Sequence, residues 1–505
     1  MKIRQMTTCH ICRARKLACD GKVPACTQCA LSGRTCPGYQ HDLIFRPPVV
    51  AGLQQTTARV VKRRRNSSFT GFEAQRHPSR GSTNLAKRSA ETADAEQQPY
   101  RKLITVFSPP SWPLLDIISL VIQNFSPLGV YERMGLVSAD SGVSSQRICG
   151  AWVEALPELS RDERAERFLS PSIKTLAVSM LSRGHDGRAP ISDALATRAL
   201  AVSSLRYGLQ GRVGSSSNIF AAAVMCLFLS ELILPTSKAS ATIHAQGIRA
   251  LLQLQSPESY SSGVGHQLFV GVRPVLFIQS LLSRQNTFLA EEGWLMAPFS
   301  ISGATPLQDL FSEVVTLPST LGMIEELKEM PKAQADTLAL TAFEKLSQSL
   351  NGLVRMSEAI KDGDQDLYQF ILCPIEEDTD IHFPSLTVAN LFTHIWAFHI
   401  VCARHITQLT CFFPSIRGQL DPRLERLIST EIVIHLSSLI LRSMKFLTLE
   451  KFKLFGAAST TLPLHVAHEV LVDEGRDNEE LSSLYQRVLR MYCLKGYQYM
   501  VEQVP

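Results

Sequence analysis

Apolar residues recur at helical spacing from about Leu103 to the end of the chain. Leu114, Ile117, Ile118, Val121 and Ile122 fall on one face of a 3.6-residue period, as do Leu481, Leu484, Val488, Met491 and Tyr492. The same periodicity predicts further helices around 145–156, 161–182, 192–208, 216–234, 238–255, 266–284, 335–361, 386–412 and 422–449. Pro235, Pro257, Pro298, Pro374, Pro384 and Pro414 fall between these segments, where the missing N–H interrupts no helix. Strand-like alternation is scarce, so the fold class is mostly α, and residues 103–505 are expected to form a large all-α domain of packed helix pairs. The acidic segment from Asp362 to Asp380, broken by Gly363 and Pro374, reads as an exposed loop.

The first hundred residues lack this pattern. Pro37-Gly38-Tyr39 and Pro47-Pro48 interrupt regular structure, and Thr56 to Gln98 is rich in Ser, Thr, Gln, Arg and Ala without a sustained apolar period. Residues 47–102 therefore read as a disordered basic linker between a small module at 1–46 and the helical domain at 103–505. No heptad repeat follows residue 46, so no coiled-coil dimer on a palindrome of fixed spacing is expected. The stretch from Met1 to His10 has no apolar core of a secretory signal. The longest apolar run, Ile219 to Leu229, is far short of the roughly 20 residues that a membrane span needs. A soluble, intracellular protein without a membrane partner is expected.

Charge separates the chain more sharply than hydropathy does. Residues 1–65 hold 13 Lys or Arg against Asp20 and Asp42, a net +11, whereas the remaining 440 carry a net −6. A basic head on a mildly acidic body suits a nucleic-acid binder with a separate partner-facing domain. Within the linker, Lys62, Arg63, Arg64 and Arg65 form a candidate nuclear-import signal or an additional phosphate contact.

Six of the chain's 12 cysteines, Cys9, Cys12, Cys19, Cys26, Cys29 and Cys36, lie within 28 residues as two C-x2-C-x6-C units offset by 17. A segment this short cannot bury enough apolar surface to fold alone, so metal binding must stabilise it. Thiolates suit Zn2+, and a C-x2-C pair lets two sulfurs reach one ion. Two tetrahedral zinc ions need eight ligand positions, and six sulfurs supply them only if two bridge. By the symmetry of the repeat, the bridging pair is Cys9 and Cys26.

The run Cys9-His10-Ile11-Cys12-Arg13-Ala14-Arg15-Lys16-Leu17-Ala18-Cys19-Asp20, with Pro24-Ala25-Cys26-Thr27-Gln28-Cys29 and Cys36, resembles the fungal Zn2Cys6 binuclear cluster of transcription regulators. The resemblance implies a sequence-specific factor for RNA polymerase II genes, with two Zn2+ as cofactors, double-stranded DNA as partner and the nucleus as location. It implies that Lys16, with Arg15 beside it, reads a CGG-like triplet on a short helix over 12–18 while Arg13 and Lys22 contact phosphates. Ala18 departs from the basic residue that many members carry there, and one phosphate contact is expected to be missing. Family habit points to an activator of a metabolic or biosynthetic gene set. Ile243-His244-Ala245-Gln246-Gly247-Ile248-Arg249-Ala250-Leu251-Leu252, with Gly265 to Phe269 and Ser283-Arg284-Gln285, resembles the helical middle region of such regulators. That implies a regulatory body that contacts transcription machinery or co-regulators and is a candidate for a small-molecule effector. The alternatives are a co-regulator that does not bind DNA and a ligand-sensing helical protein.

No G-x-S-x-G, P-loop or G-x-G-x-x-G stands in a strand-turn-helix setting, and no enzyme is expected. His394, His399 and His405 run at intervals of five and six, which do not converge on a metal, so they read as packing residues. Cys149, Cys226, Cys373, Cys402, Cys411 and Cys493 are isolated and read as buried small apolar residues.

Overall fold

The computed structural model describes residues 12, 19, 27–32, 112–127, 149–183, 189–210, 217–237, 239–363, 380–473 and 478–497. Contacts divide the chain into two compact units, residues 1–85 and 86–505. The first unit contributes one short described helix, α1 (Thr27–Leu31). Outside that unit 81% of the described residues are helical and none is in a strand, which agrees with the all-α expectation.

The main helices of the second unit are α2 (Leu114–Phe125), α3 (Ser170–Ser182), α4 (Ile191–Leu209), α5 (Ser217–Ile233), α6 (Ser240–Leu252), α7 (Gly263–Ser283), α8 (Pro306–Glu313), α9 (Leu317–Glu326), α10 (Lys332–Gly363), α11 (Leu386–Phe412), α12 (Thr430–Leu447), α13 (Thr461–Asp473) and α14 (Glu479–Leu494). α5 packs between α3 and α6, and every one of its residues except Asn218 is buried. From there contacts run through α7 and α9 to α10 and α11, then to α12, α13 and α14. The short helix Lys453–Ala458 returns to α2, where the rings of Phe125 and Phe455 meet edge-on with centroids 6.0 Å apart. One hydrophobic core therefore joins the first and last helices of this unit.

Two expected helices are divided. The segment 161–182 breaks at Leu169 into Glu163–Phe168 and α3, and 422–449 breaks at Ile428 and Ser429 into Pro422–Leu427 and α12. Apolar periodicity crosses both breaks because core-facing side chains continue through them. The backbone signals are local: Pro171 begins α3, and the Ser429 hydroxyl accepts from the Ile432 N–H at 3.4 Å to cap α12.

α7 continues through Pro274. Proline has no N–H, so the carbonyl four residues back loses its helical donor. That carbonyl, on Val270, accepts instead from Gln308 Nε2 at 3.2 Å. Arg273 Nη1 donates to the Gln308 carbonyl at 2.7 Å and to Gln308 Oε1 at 2.9 Å, and Nη2 donates to Ser312 Oγ at 2.7 Å. Both Arg273 and Gln308 are fully buried, so this polar knot replaces the lost bond and locks α8 against α7.

A second buried polar contact joins α4 to α5. Arg198 and Glu231 pair at 3.4 Å, while Arg198 Nη2 also donates to the carbonyls of Ser230 at 3.1 Å and Leu234 at 3.0 Å. Glu231 in turn accepts from the Thr236 N–H at 2.8 Å. α11 is long and apolar enough to cross a membrane, but 89% of its most apolar window is buried within the protein. It is a core helix by its packing against α10, α12 and α13.

Candidate zinc and nucleic-acid site

One pairing in the cysteine repeat bears on the metal chemistry. Cys12 and Cys29 correspond under the 17-residue offset, and each is only 1% exposed. A segment this short cannot bury much apolar surface, so equal burial of two equivalent thiols is what a metal centre would produce. Cys19 is half-buried. The donor set fits zinc: soft sulfur ligands in C-x2-C pairs, with the inner member of each pair turned away from solvent.

α1 begins immediately after Cys26 and carries Cys29 in its first turn, so the second C-x2-C pair spans one helical turn. Its end is closed by Ser32, whose hydroxyl donates to the carbonyls of Gln28 at 2.7 Å and Cys29 at 3.1 Å. Cys12 also has helical backbone, the counterpart of Cys29 in the first half. The helix in the second half was not anticipated from the sequence. The signal for it was the repeat itself, because a helix expected after one C-x2-C pair implies its equivalent 17 residues later.

The two halves carry different side chains on that common frame. Where the first half has Arg13, Arg15 and Lys16, the second has Ala30, Ser32 and Gly33. Leu31 in the second half is exposed. Three cations, Arg13, Arg15 and Lys16, follow the inner cysteine of the first half and one, Arg34, that of the second, so the first half carries more of the charge that phosphate and guanine contacts require. The side chains of Cys9, Cys26, Cys36, Arg13, Arg15, Lys16 and Lys22 lie outside the described residues, as do Lys62, Arg63, Arg64 and Arg65.

The helical unit offers no comparable gathering of ligands among its described residues. His394 Nδ1 lies 2.7 Å from the Asn390 carbonyl, His399 Nε2 lies 2.8 Å from that of Leu427, and His405 Nδ1 lies 2.8 Å from that of Val401. Burial lowers the pKa of all three, to about 4 for His394, so they are neutral packing residues tied to backbone, as their spacing suggested. Cys226 and Cys402 are fully buried, and burial pushes their thiols up, to about 12 for Cys402. Cys411 and Cys493 correct the expectation of burial: both are exposed, because they lie on the solvent-facing sides of the last turns of α11 and α14. Cys373 and the Cys149 side chain lie outside the described residues.

Residues 7–43 match the fungal Zn(2)-Cys(6) binuclear cluster domain. No curated protein and no solved structure matches the chain. A domain of this kind binds two zinc ions, and its family consists of DNA-binding transcription factors that are typically nuclear. By its cysteine repeat, its buried thiol pair and this match, the chain carries a fungal-type Zn(2)-Cys(6) binuclear cluster domain over residues 7–43.

Proposed function

We propose that the protein is a sequence-specific activator that reads CGG-like triplets, with residues 1–46 as the DNA-binding domain, 47–102 as a basic linker and 103–505 as a regulatory domain. Cys9, Cys12, Cys19, Cys26, Cys29 and Cys36 hold the two zinc ions, Cys9 and Cys26 bridging. The metal supplies the folding energy of the module and fixes the ends of the segment between Cys12 and Cys19. Six thiolates and two Zn2+ leave a formal charge of −2, which the surrounding Arg13, Arg15, Lys16, Lys22 and Arg34 overcompensate. Lys16 donates to guanine O6 and N7 in the major groove, with Arg15 beside it, and Arg13 and Lys22 neutralise phosphates. Ala18 offers no cation to the backbone, so affinity is lower by one counterion-release increment while base preference is kept. Lys62 to Arg65 direct nuclear import, and the genes controlled are a metabolic or biosynthetic set.

The observation that carries this reading is the match over residues 7–43 to the fungal Zn(2)-Cys(6) binuclear cluster domain, with Arg13, Arg15 and Lys16 between its second and third cysteines. The test is selection of the full-length protein against a randomised duplex pool, with and without a zinc chelator. Enrichment of CGG-like triplets only in the presence of zinc is the expected result. Recovery of no motif from zinc-loaded protein would favour a co-regulator that acts by protein contacts.

A second reading concerns the body. We propose an open groove of about 470 Å³ between α8 and α10, lined by Asp309, Glu313, Met356, Ala359 and Ile360 and by Arg355, which pairs with Glu313 at 3.8 Å, as the place for a small effector with an apolar body. Binding there raises the melting temperature of the protein in proportion to ligand concentration, and screening by thermal stabilisation checks it.

A further inference from the structure

α12 and α14 pack side by side, and cations line the seam between them. Lys445 of α12 and Arg487 of α14 hold the Asp380 carboxylate from both sides, Lys445 Nζ at 2.6 Å and Arg487 Nη2 at 3.1 Å. Asp380 arrives on non-helical backbone, and the neighbouring Ile381 N–H donates to the Arg442 carbonyl of α12 at 3.1 Å. Further along the seam, Lys495 Nζ donates to the Thr448 carbonyl at 2.7 Å. Burial lowers the Lys495 pKa, Glu450 opposes that shift and Lys445 adds to it, so these groups share one electrostatic field.

Just past α12 the chain bends by 81° into the short helix Lys453–Ala458. Gly456 permits this corner, because a Cβ there would collide with the Leu447 carbonyl. The corner holds Lys453 at φ 56° and ψ −156°, one of two non-glycine residues with positive φ among those described. Glycine adopts that region without strain, whereas a lysine in it is strained. The Lys453 side chain is exposed, and Lys451 Nζ lies 4.8 Å from the centre of the Phe452 ring. Among the described residues, none of Lys451, Lys453 and Lys495 makes an ion pair with a carboxylate. A strained cation that its own chain leaves unpaired points to a contact outside the chain.

We propose that this seam and corner form a docking surface for an extended acidic segment of a partner protein. Its carboxylates pair with Lys451, Lys453 and Lys495 as Asp380 pairs with Lys445 and Arg487. Those five cations face Asp380 and Glu450 alone, in a region, residues 66–505, whose net charge is −6. The surface therefore reverses locally the repulsion that the rest of the body offers to an acidic partner. Leu494, next to Lys495 in the chain and 89% exposed, adds an apolar contact. A duplex fits less well: its continuous phosphate charge is repelled by the acidic body, Asp380 and Glu450 interrupt the cations, and Leu494 offers nothing to a phosphate. The inference goes beyond the DNA reading and does not depend on it.

The test titrates full-length, zinc-loaded protein into a fluorescein-labelled peptide of Asp-Asp-Leu repeats and follows anisotropy. Zero-length carbodiimide coupling of the complex, read by mass spectrometry, shows which lysines the peptide carboxylates touch and so separates this surface from the basic residues 1–65. Saturable binding with coupling at Lys451, Lys453 or Lys495 is the expected result. Lys453→Gly combined with Lys495→Ala should weaken binding about tenfold. Lys453→Gly alone should weaken it while raising the melting temperature, so that lost affinity is not lost folding, and Lys453→Arg should bind as the wild type does. Duplex affinity should be the same in all these variants. Absence of peptide binding, coupling confined to residues 1–65, or unchanged affinity in the double variant overturns the proposal. A fall in duplex affinity in that variant would assign the cations to nucleic acid and overturn it as well.

Discussion

Cys12 in the cluster and Cys226 in the helical body are both sealed from solvent, at 1% and 0% exposure, yet opposite chemical states are proposed for them. Around Cys226 the neighbours are apolar side chains of a continuous core, and desolvation drives its thiol far above the ordinary range, so it stays protonated and inert. Cys12 is sealed in a segment too short to bury a large apolar core, and metal ligation together with its equivalent Cys29 is the proposed cause of its burial. On this proposal the same side chain with nearly the same exposure is packing in one unit and chemistry in the other. Spacing and the supply of apolar neighbours distinguish the two.

The largest expected effect separates the units outright. Cys29→Ser should lower DNA affinity by more than about 100-fold and reduce bound zinc, while the melting transition of the helical body stays in place. Fluorescence anisotropy with a labelled duplex, paired with circular dichroism, reads both. Glu231→Ala should do the reverse. It leaves Arg198 charged in the core without its carboxylate and costs about 3–5 kcal/mol of body stability, seen by chemical denaturation, with DNA affinity unaltered.

Smaller changes sharpen the contrast within each unit. Cys226→Ser introduces a hydroxyl into an apolar site and should cost about 1–3 kcal/mol in stability without changing zinc stoichiometry, the opposite pattern to Cys29→Ser. Lys16→Ala should cost about 1–3 kcal/mol of binding to the preferred triplet and flatten discrimination between triplets, measured as the ratio of specific to non-specific affinity. The smallest effect is a gain. Lys453 holds φ 56° and ψ −156°, a region that glycine adopts without strain, and it is exposed. Lys453→Gly should stabilise the body by about 1 kcal/mol in the same denaturation assay.

The two units were also legible in different ways. In the body, periodicity located α2, α5, α11 and α14 because each presents a long apolar face, as Ile117, Ile118 and Val121 of α2 do inside the core. It passed over the short helices between residues 285 and 331, such as Glu292–Met296, which are too brief to show a period. There Trp294 is buried by ring contacts with Phe288, Phe269 and Tyr260 that come from other elements. It passed through Pro274 without detecting a break, and rightly, but the repair by Gln308 is a long-range contact that no local pattern encodes. In the cluster, six residue identities and their spacing were enough to make the metal chemistry legible, because ligand type and separation along the chain are local properties. What the sequence did not announce was α1, a helix of five residues that is too short to show a period.

The account rests on one unit held by metal and another held by burial, with DNA binding confined to the first. Titrating a zinc chelator into the full-length protein while following duplex binding and the far-ultraviolet melting curve together tests this most directly. Loss of DNA binding as zinc is removed, with the helical transition unchanged in temperature and cooperativity, is the predicted result. Retention of DNA binding in metal-free protein, or a fall of the helical transition in step with zinc loss, would contradict it.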